Sequence, residues 1–236
     1  VKALLLFDID GTLILGSNAG ITAYLRAVQK RHNVTVRREQ LSRSCGKTDF
    51  IVLREVLDLA GLHQEDERDP ELIRAYLAEL VEAVKEDPGV LAPGLRELLE
   101  RLGQEKDMVL ALGTGNIQAG ARVKLARHNV DSVFPTGGFA EDGNTRSQII
   151  AAAAARAAEV YQEAFSKIVV IGDTPSDIQC ARDNGFYAVA VATGSFSRDE
   201  LMAAQPDLVL DDLTDAVGFI EYVRRLPESP GGRGGI

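Results

Sequence analysis

Two aspartates stand two residues apart where the apolar run Ala3-Leu4-Leu5-Leu6-Phe7 ends, in the stretch Asp8-Ile9-Asp10-Gly11-Thr12. A carboxylate at the tip of a buried strand costs free energy unless its charge is compensated. Two later apolar runs end in residues of similar character: Gly113-Thr114-Gly115-Asn116 and Gly172-Asp173-Thr174-Pro175-Ser176-Asp177. The turn-like stretch Glu141-Asp142-Gly143-Asn144 is followed by Thr145 and by Arg146, a guanidinium. If the runs are parallel strands of one sheet, their ends open on one edge and these groups converge. Carboxylates brought together repel unless a cation joins them, and clustered carboxylate oxygens suit Mg²⁺. A metal or local cation lets an acidic protein hold an anionic substrate.

The runs that must position these groups are continuous rather than alternating, the pattern of strands covered on both faces. They span residues 3–8, 108–114, 132–137, 167–173, 187–194 and 207–213. Amphipathic stretches lie between them, at 94–102, 116–129, 146–165 and 175–185. This alternation predicts an α/β fold, a doubly wound (Rossmann-like), mainly parallel sheet. Over residues 16–88 the alternation stops, and three helical repeats at 19–32, 47–61 and 70–87 replace it. In the third, Leu72, Ile73, Tyr76, Leu77, Leu80, Val81 and Val84 form one apolar stripe, with Asp69-Pro70 as cap and first-turn proline. Thr48 or Ser44 would cap the second. The expected organisation is a core of residues 1–15 and 89–226, an inserted all-helical cap domain of 16–88, and a disordered Pro/Gly-rich tail, 227–236. The insertion leaves from the carboxyl end of the first strand, where it could act as a lid.

The chain has 236 residues and a net charge of −9, so no general attraction to nucleic acid or to an anionic membrane is expected. Its two cysteines, Cys45 and Cys180, form no disulfide or zinc pattern and read as small buried hydrophobes. His32, His63 and His128 read as surface residues on helices. The first apolar stretch is too short to cross a bilayer and lacks a basic region and a cleavage site, so a cytoplasmic protein is expected. No pattern fixes an oligomeric state.

Taken together, these motifs resemble those of the haloacid dehalogenase superfamily, specifically its phosphatase branch with a helical cap, and look phosphoglycolate phosphatase-like. Asp8-Ile9-Asp10-Gly11-Thr12 resembles the first motif, D-x-D-G-T. Thr114 fits the second, and Gly172-Asp173-Thr174-Pro175-Ser176-Asp177 fits the fourth, G-D-x-x-x-D. The third motif is usually a lysine; the matching place, 32 residues after Thr114, holds Arg146. The resemblance implies that Asp8 is a nucleophile forming an aspartyl-phosphate, and that Asp10 protonates the leaving oxygen and then deprotonates water. Mg²⁺ would be held by Asp8, the backbone carbonyl of Asp10, and Asp173, with Asp177 behind the metal or simply capping its helix. Thr114, with the amides of Gly115 and Asn116, would hold the phosphate; Asn116 also reads as a helix cap. Gly11 would let the backbone turn sharply toward the substrate. Lys47 from the lid could reach the substrate. Arg146 would be the site's permanent cation. Lys167 precedes its strand, and Lys124 lies over two turns into a helix, pointing away from the helix start.

The implied activity is a Mg²⁺-dependent phosphatase acting on a small phosphorylated metabolite. A sugar phosphomutase of the same superfamily would share the motifs. A 2-haloacid dehalogenase would need neither metal nor Asp10, and a phospho-receiver domain would lack the helical insertion.

Overall fold

A computed structural model describes residues 2–42 and 45–228. Along the chain, β1 (Lys2–Phe7) is followed by β2 (Ile14–Leu15), by α1 (Ala19–His32), α2 (Asp49–Leu59) and α3 (Pro70–Glu86), and by β3 (Val90–Leu91). Then come α4 (Leu95–Leu102), β4 (Met108–Gly113), α5 (Gln118–Ala126), β5 (Gly137–Gly138), α6 (Arg146–Tyr161), β6 (Phe165–Gly172), α7 (Pro175–Asp183), β7 (Tyr187–Val191), α8 (Arg198–Ala203), β8 (Leu208–Leu210) and α9 (Ala216–Arg225). The main sheet has the order β5-β4-β1-β6-β7-β8, and every neighbouring pair is parallel. This is the α/β doubly wound fold that the apolar runs predict.

β1 is buried because it lies inside the sheet with helices on both faces. Leu5 and Phe7 pack with Leu95 and Leu98 of α4, Leu125 of α5 and Phe219 of α9. Leu4 and Leu6 point the other way, onto Ile150 and Ala153 of α6 and Ile178 of α7. Both faces need apolar side chains, hence the unbroken run.

The inserted helices share a third core. Tyr24 of α1 and Tyr76 of α3 stack there, ring centroids 4.3 Å apart and planes 11° from parallel. Ile117 and Ala140, from the sheet side, are buried in that same cluster and seat the insertion on the sheet. Its two ends are pinned together. β2 and β3 pair antiparallel, Ile14 opposite Leu91. Just beyond, the Ser17 hydroxyl donates to the Asp87 carbonyl (2.8 Å) and the Asn18 amide to the Asp87 carboxylate (2.7 Å).

Several local expectations need correction. The run at 132–137 forms no strand of its own: Asp131–Val133 is a 3-10 turn and only Gly137–Gly138 pairs with β4. Its apolar character comes from Phe134, fully buried and 5.8 Å from the Phe7 ring in an edge-to-face contact, while Pro135 has no amide to give a ladder. The stretch 146–165 is helical only to Tyr161, because Gln162 turns left-handed and Phe165 begins β6. Val81 is 39% exposed, off the buried stripe of α3. His63 and His128 lie in turns rather than on helices, and His128 Nε2 sits 2.9 Å from the Pro88 carbonyl. Both thiols are free, but only Cys180 is buried; Cys45 is exposed. Thr48 caps α2 by accepting from the Ile51 amide. Ser44 and the tail from 229 lie outside the described residues.

Shortening Leu6, fully buried in the strand that carries both aspartates, should cost about 2–5 kcal/mol in Leu6→Ala. Urea unfolding of the variant measures it; a loss under about 1 kcal/mol would contradict this packing.

Candidate active site

The carboxyl ends of β1, β4 and β6 meet on one edge, β1 between the other two. Asp8 follows β1, and Asp173 follows β6. Asp177 is the third residue of α7, and Arg146 is the first of α6. All four are buried, none more than 8% exposed. Arg146 Nη2 lies 2.6 Å from Asp8 Oδ2 and 2.5 Å from Asp177 Oδ1. Oxygens of Asp8, Asp173 and Asp177 all come within 4.8 Å of one another. Asp177 also closes a capping box: its Oδ2 accepts from the Thr174 amide (3.0 Å) and hydroxyl (2.7 Å). One oxygen of Asp173 accepts from the Thr12 hydroxyl at 3.2 Å. Gly11, at φ +89°, runs so close to Asp173 that a Cβ there would strike its carboxylate.

Asp10 stands apart from this cluster, facing the cavity. Lys124 Nζ binds both its oxygens, at 2.8 and 2.7 Å, and Asn116 Nδ2 donates to Oδ2 at 2.8 Å. Lys124 also donates to Asn116 Oδ1 at 2.6 Å. The expectation that Lys124 points away is therefore wrong. Helical side chains lean toward the helix N-terminus, and a lysine stem spans more than a turn. That lean was the signal available in the sequence.

Thr114 is fully buried at the end of β4. Its Oγ1 accepts from Asn116 Nδ2 (2.8 Å) and from the Asn116 amide (3.3 Å), which leaves its own proton to donate. The Asn116 amide is thus already engaged. Nor is Asn116 the helix cap, since Ile117 holds that position in α5. The next two amides also have acceptors: Ile117 donates to Asp49 Oδ2 at 2.7 Å, and Gln118 to the Glu141 carboxylate at 3.0 and 3.1 Å. Among the described residues only the Gly115 amide of this turn is unengaged. Lys47 lines the cavity, but its ammonium rests on Glu55 at 2.7 Å and on the Ser42 hydroxyl. Lys167 bonds the Val223 and Arg224 carbonyls at the end of α9 (3.3 and 2.6 Å).

The environments push the two aspartates of β1 apart. Burial raises the Asp8 carboxyl to about 6 against the pull of Arg146. Enclosure would raise Asp10 as well, but the charge and hydrogen bonds of Lys124, with Asn116, bring it below its ordinary value. Burial, then repulsion from Asp177 and Asp8, pushes Asp173 up to about 8.

The haloacid dehalogenase-like hydrolase family profile matches residues 5–191. The chain belongs to that family. Among its relatives is "Probable phosphatase IndB" of Dickeya dadantii, 26% identical over 98% of both chains. Another is "Phosphoglycolate phosphatase" of Aliivibrio fischeri, 25% identical over 94% of this chain and 97% of that one. A solved hydrolase from Pseudomonas syringae shares the fold at TM-score 0.69, with 21% identity over 94% of this chain and 99% of that one.

A cavity of about 520 Å³ lies between the strand ends and the inserted helices of this hydrolase. Asp8, Asp10, Thr114, Arg146 and Asp173 line it from the sheet, and Ile21, Tyr24 and Val52 from the insertion. The donor set suits a divalent cation. Three buried carboxylates face one guanidinium; ionised together they would leave two negative charges uncompensated where water is scarce, and the donors are hard oxygens. No helix among the described residues is long and apolar enough to cross a membrane.

Asp173 keeps its proton up to about pH 8 in the folded, metal-free hydrolase, whereas the unfolded chain releases it near the ordinary value of 3.8. Its folded pKa is raised, so its contribution to stability falls as pH rises through that window. Asp173→Asn should therefore melt several degrees higher than the parent at pH 8 in EDTA, with the gain shrinking toward pH 4. Thermal melts of both proteins across that range check the sign.

Proposed function

We propose that this hydrolase is a Mg²⁺-dependent phosphatase of a small phosphorylated metabolite, working through an aspartyl-phosphate on Asp8. The observation that carries this reading is the charge imbalance around Asp8: three buried carboxylates against one arginine, at the mouth of a small cavity. With those carboxylates ionised, a divalent cation would complete that balance and present a positive centre to a phosphoryl group. The names of two relatives, both phosphatases, agree with it. The cavity volume suits a small metabolite.

Asp8 and Asp173, with the Asp10 carbonyl, would hold Mg²⁺, and Asp177 would orient the set through Arg146. When bound, the ion offsets the repulsion between the Asp8 carboxylate and the phosphate and stabilises charge on the phosphoryl oxygens. Asp8 attacks phosphorus as the ester oxygen leaves. The Thr114 hydroxyl and the Gly115 amide donate to phosphoryl oxygens and hold them in line. Asp10 delivers a proton to the leaving oxygen. The negative charge of the arriving ester raises its affinity for that proton against the pull of Lys124. In the second half Asp10 takes a proton from water, which attacks phosphorus, and the Asp8–phosphorus bond breaks.

Phosphate release from a panel of small phosphate esters, with Mg²⁺ and with EDTA, tests the reading. At least one ester should be hydrolysed, and EDTA should stop it. Asp8→Asn should abolish turnover, because an amide is a poor nucleophile. Arg146→Ala should lose about a hundredfold in kcat/KM, about 3 kcal/mol, and Arg146→Lys should recover part of it. Hydrolysis by Asp8→Asn within about tenfold of the parent would sink the mechanism.

A further inference from the structure

Asp49 opens α2 in the inserted helices, yet it is not needed to cap them, since Thr48 does so. It is 9% exposed and no ion pair neutralises it among the described residues. The charge of Lys124 reaches it only through space, and a buried carboxylate with no ion pair is costly and calls for another explanation. Both of its polar ends reach across to the turn after β4. Its amide donates to the Gly115 carbonyl at 2.8 Å, and its Oδ2 accepts from the Ile117 amide at 2.7 Å. Tyr76, stacked on Tyr24, donates to the same oxygen at 3.4 Å. The turn is gripped from other sides too. The Ile117 side chain is buried in the core of the insertion. At Gly115 a Cβ would stand 2.7 Å from the Lys47 carbonyl and 3.0 Å from Thr48 Cα, so only glycine admits the insertion this close.

Asn116 sits between these two anchors, 4% exposed. Its amide group links Asp10, Thr114 and Lys124. Moving the turn would move all three contacts together.

We propose that Asp49 is a positioning residue: by clamping residues 115–117 it sets Asn116, and through it Asp10 and Thr114, only while the inserted helices are seated on the sheet. The inference rests on the reading of Asp10 and Thr114 as reacting groups. Lifting the insertion removes the acceptor of the Ile117 amide, which favours the seated state. It also loosens the reacting groups, so that an open site does not turn over.

The test compares Asp49→Ala and Asp49→Asn with the parent, in the full chain with Mg²⁺ and p-nitrophenyl phosphate. Asp49→Ala should lower kcat about tenfold to a hundredfold with a smaller change in KM, since misplacement of this size acts on the reacting geometry. Asp49→Asn keeps an oxygen acceptor and should restore most of the loss. Amide exchange read by NMR should quicken about tenfold at Asn116 and Ile117 in Asp49→Ala, while Val52 to Leu57 within α2 keep their protection. A merely structural role would instead loosen α2 itself. Unchanged exchange at Asn116 and Ile117, or a kcat within about twofold of the parent, overturns the proposal. If the parent cleaves no phosphate ester, the phosphatase reading fails, and the exchange measurement alone decides whether Asp49 holds the turn.

Discussion

The pairing of Arg146 with Asp8 and Asp177 is the constraint on which the rest of the structure depends. One guanidinium, at the first residue of α6, must lie against carboxylates from the end of β1 and the start of α7. That fixes how α6 crosses the sheet and how closely α7 approaches it. The alanine-rich face of α6 lets it lie low over Leu6 and Ala111, close enough for its first residue to reach the strand ends. An arginine suits the position because its charge persists under deep burial, where a lysine would be more easily neutralised. With Asp173 added, the cluster is short of positive charge, and that deficit defines what the site attracts.

A second pairing, Lys124 with Asp10, separates two aspartates that are almost adjacent in sequence. Asp8 looks into the buried cluster and Asp10 into the cavity. One carboxyl is pushed up and the other down by surroundings that the chain assembles from different elements. Two like residues acquire unlike acid strengths in this way, the usual basis for giving them different tasks. Lys124 does so without competing for the acidic cluster, because Asn116 stands beside it and shares Asp10.

The sheet and the acidic cluster were legible because both follow from local pattern. Continuous apolar runs read as doubly covered strands, and carboxylates at their ends converge by topology alone. Arg146 was legible for the same reason: a helix start after a turn lies near the strand ends. Lys124 was not, because helix position suggested one direction and side-chain lean decided the other. Phe134 made a core contact look like a strand. Asn116 was misjudged because a polar residue at a helix start reads as a cap, and Asp49 was passed over beside the capping Thr48, whereas here each bonds across to another element. Such a contact depends on how the inserted helices sit, and that is a tertiary fact with no local signature.

The short ribbon of β2 and β3 has a consequence for chain entropy. It brings Leu15 and Val90 side by side, so the inserted helices leave and return at one point on the sheet. The cost of closing a loop grows only with the logarithm of its length, and a doubling adds about 0.6 kcal/mol. Once the ribbon has formed, the sheet is nearly indifferent to how many residues hang between its two strands. The insertion can therefore lengthen, shorten or exchange its helices with little thermodynamic penalty to the strands that carry Asp8, Thr114 and Asp173. Length can drift on the far side of the ribbon, provided that Asp49 keeps its hold on the turn after β4.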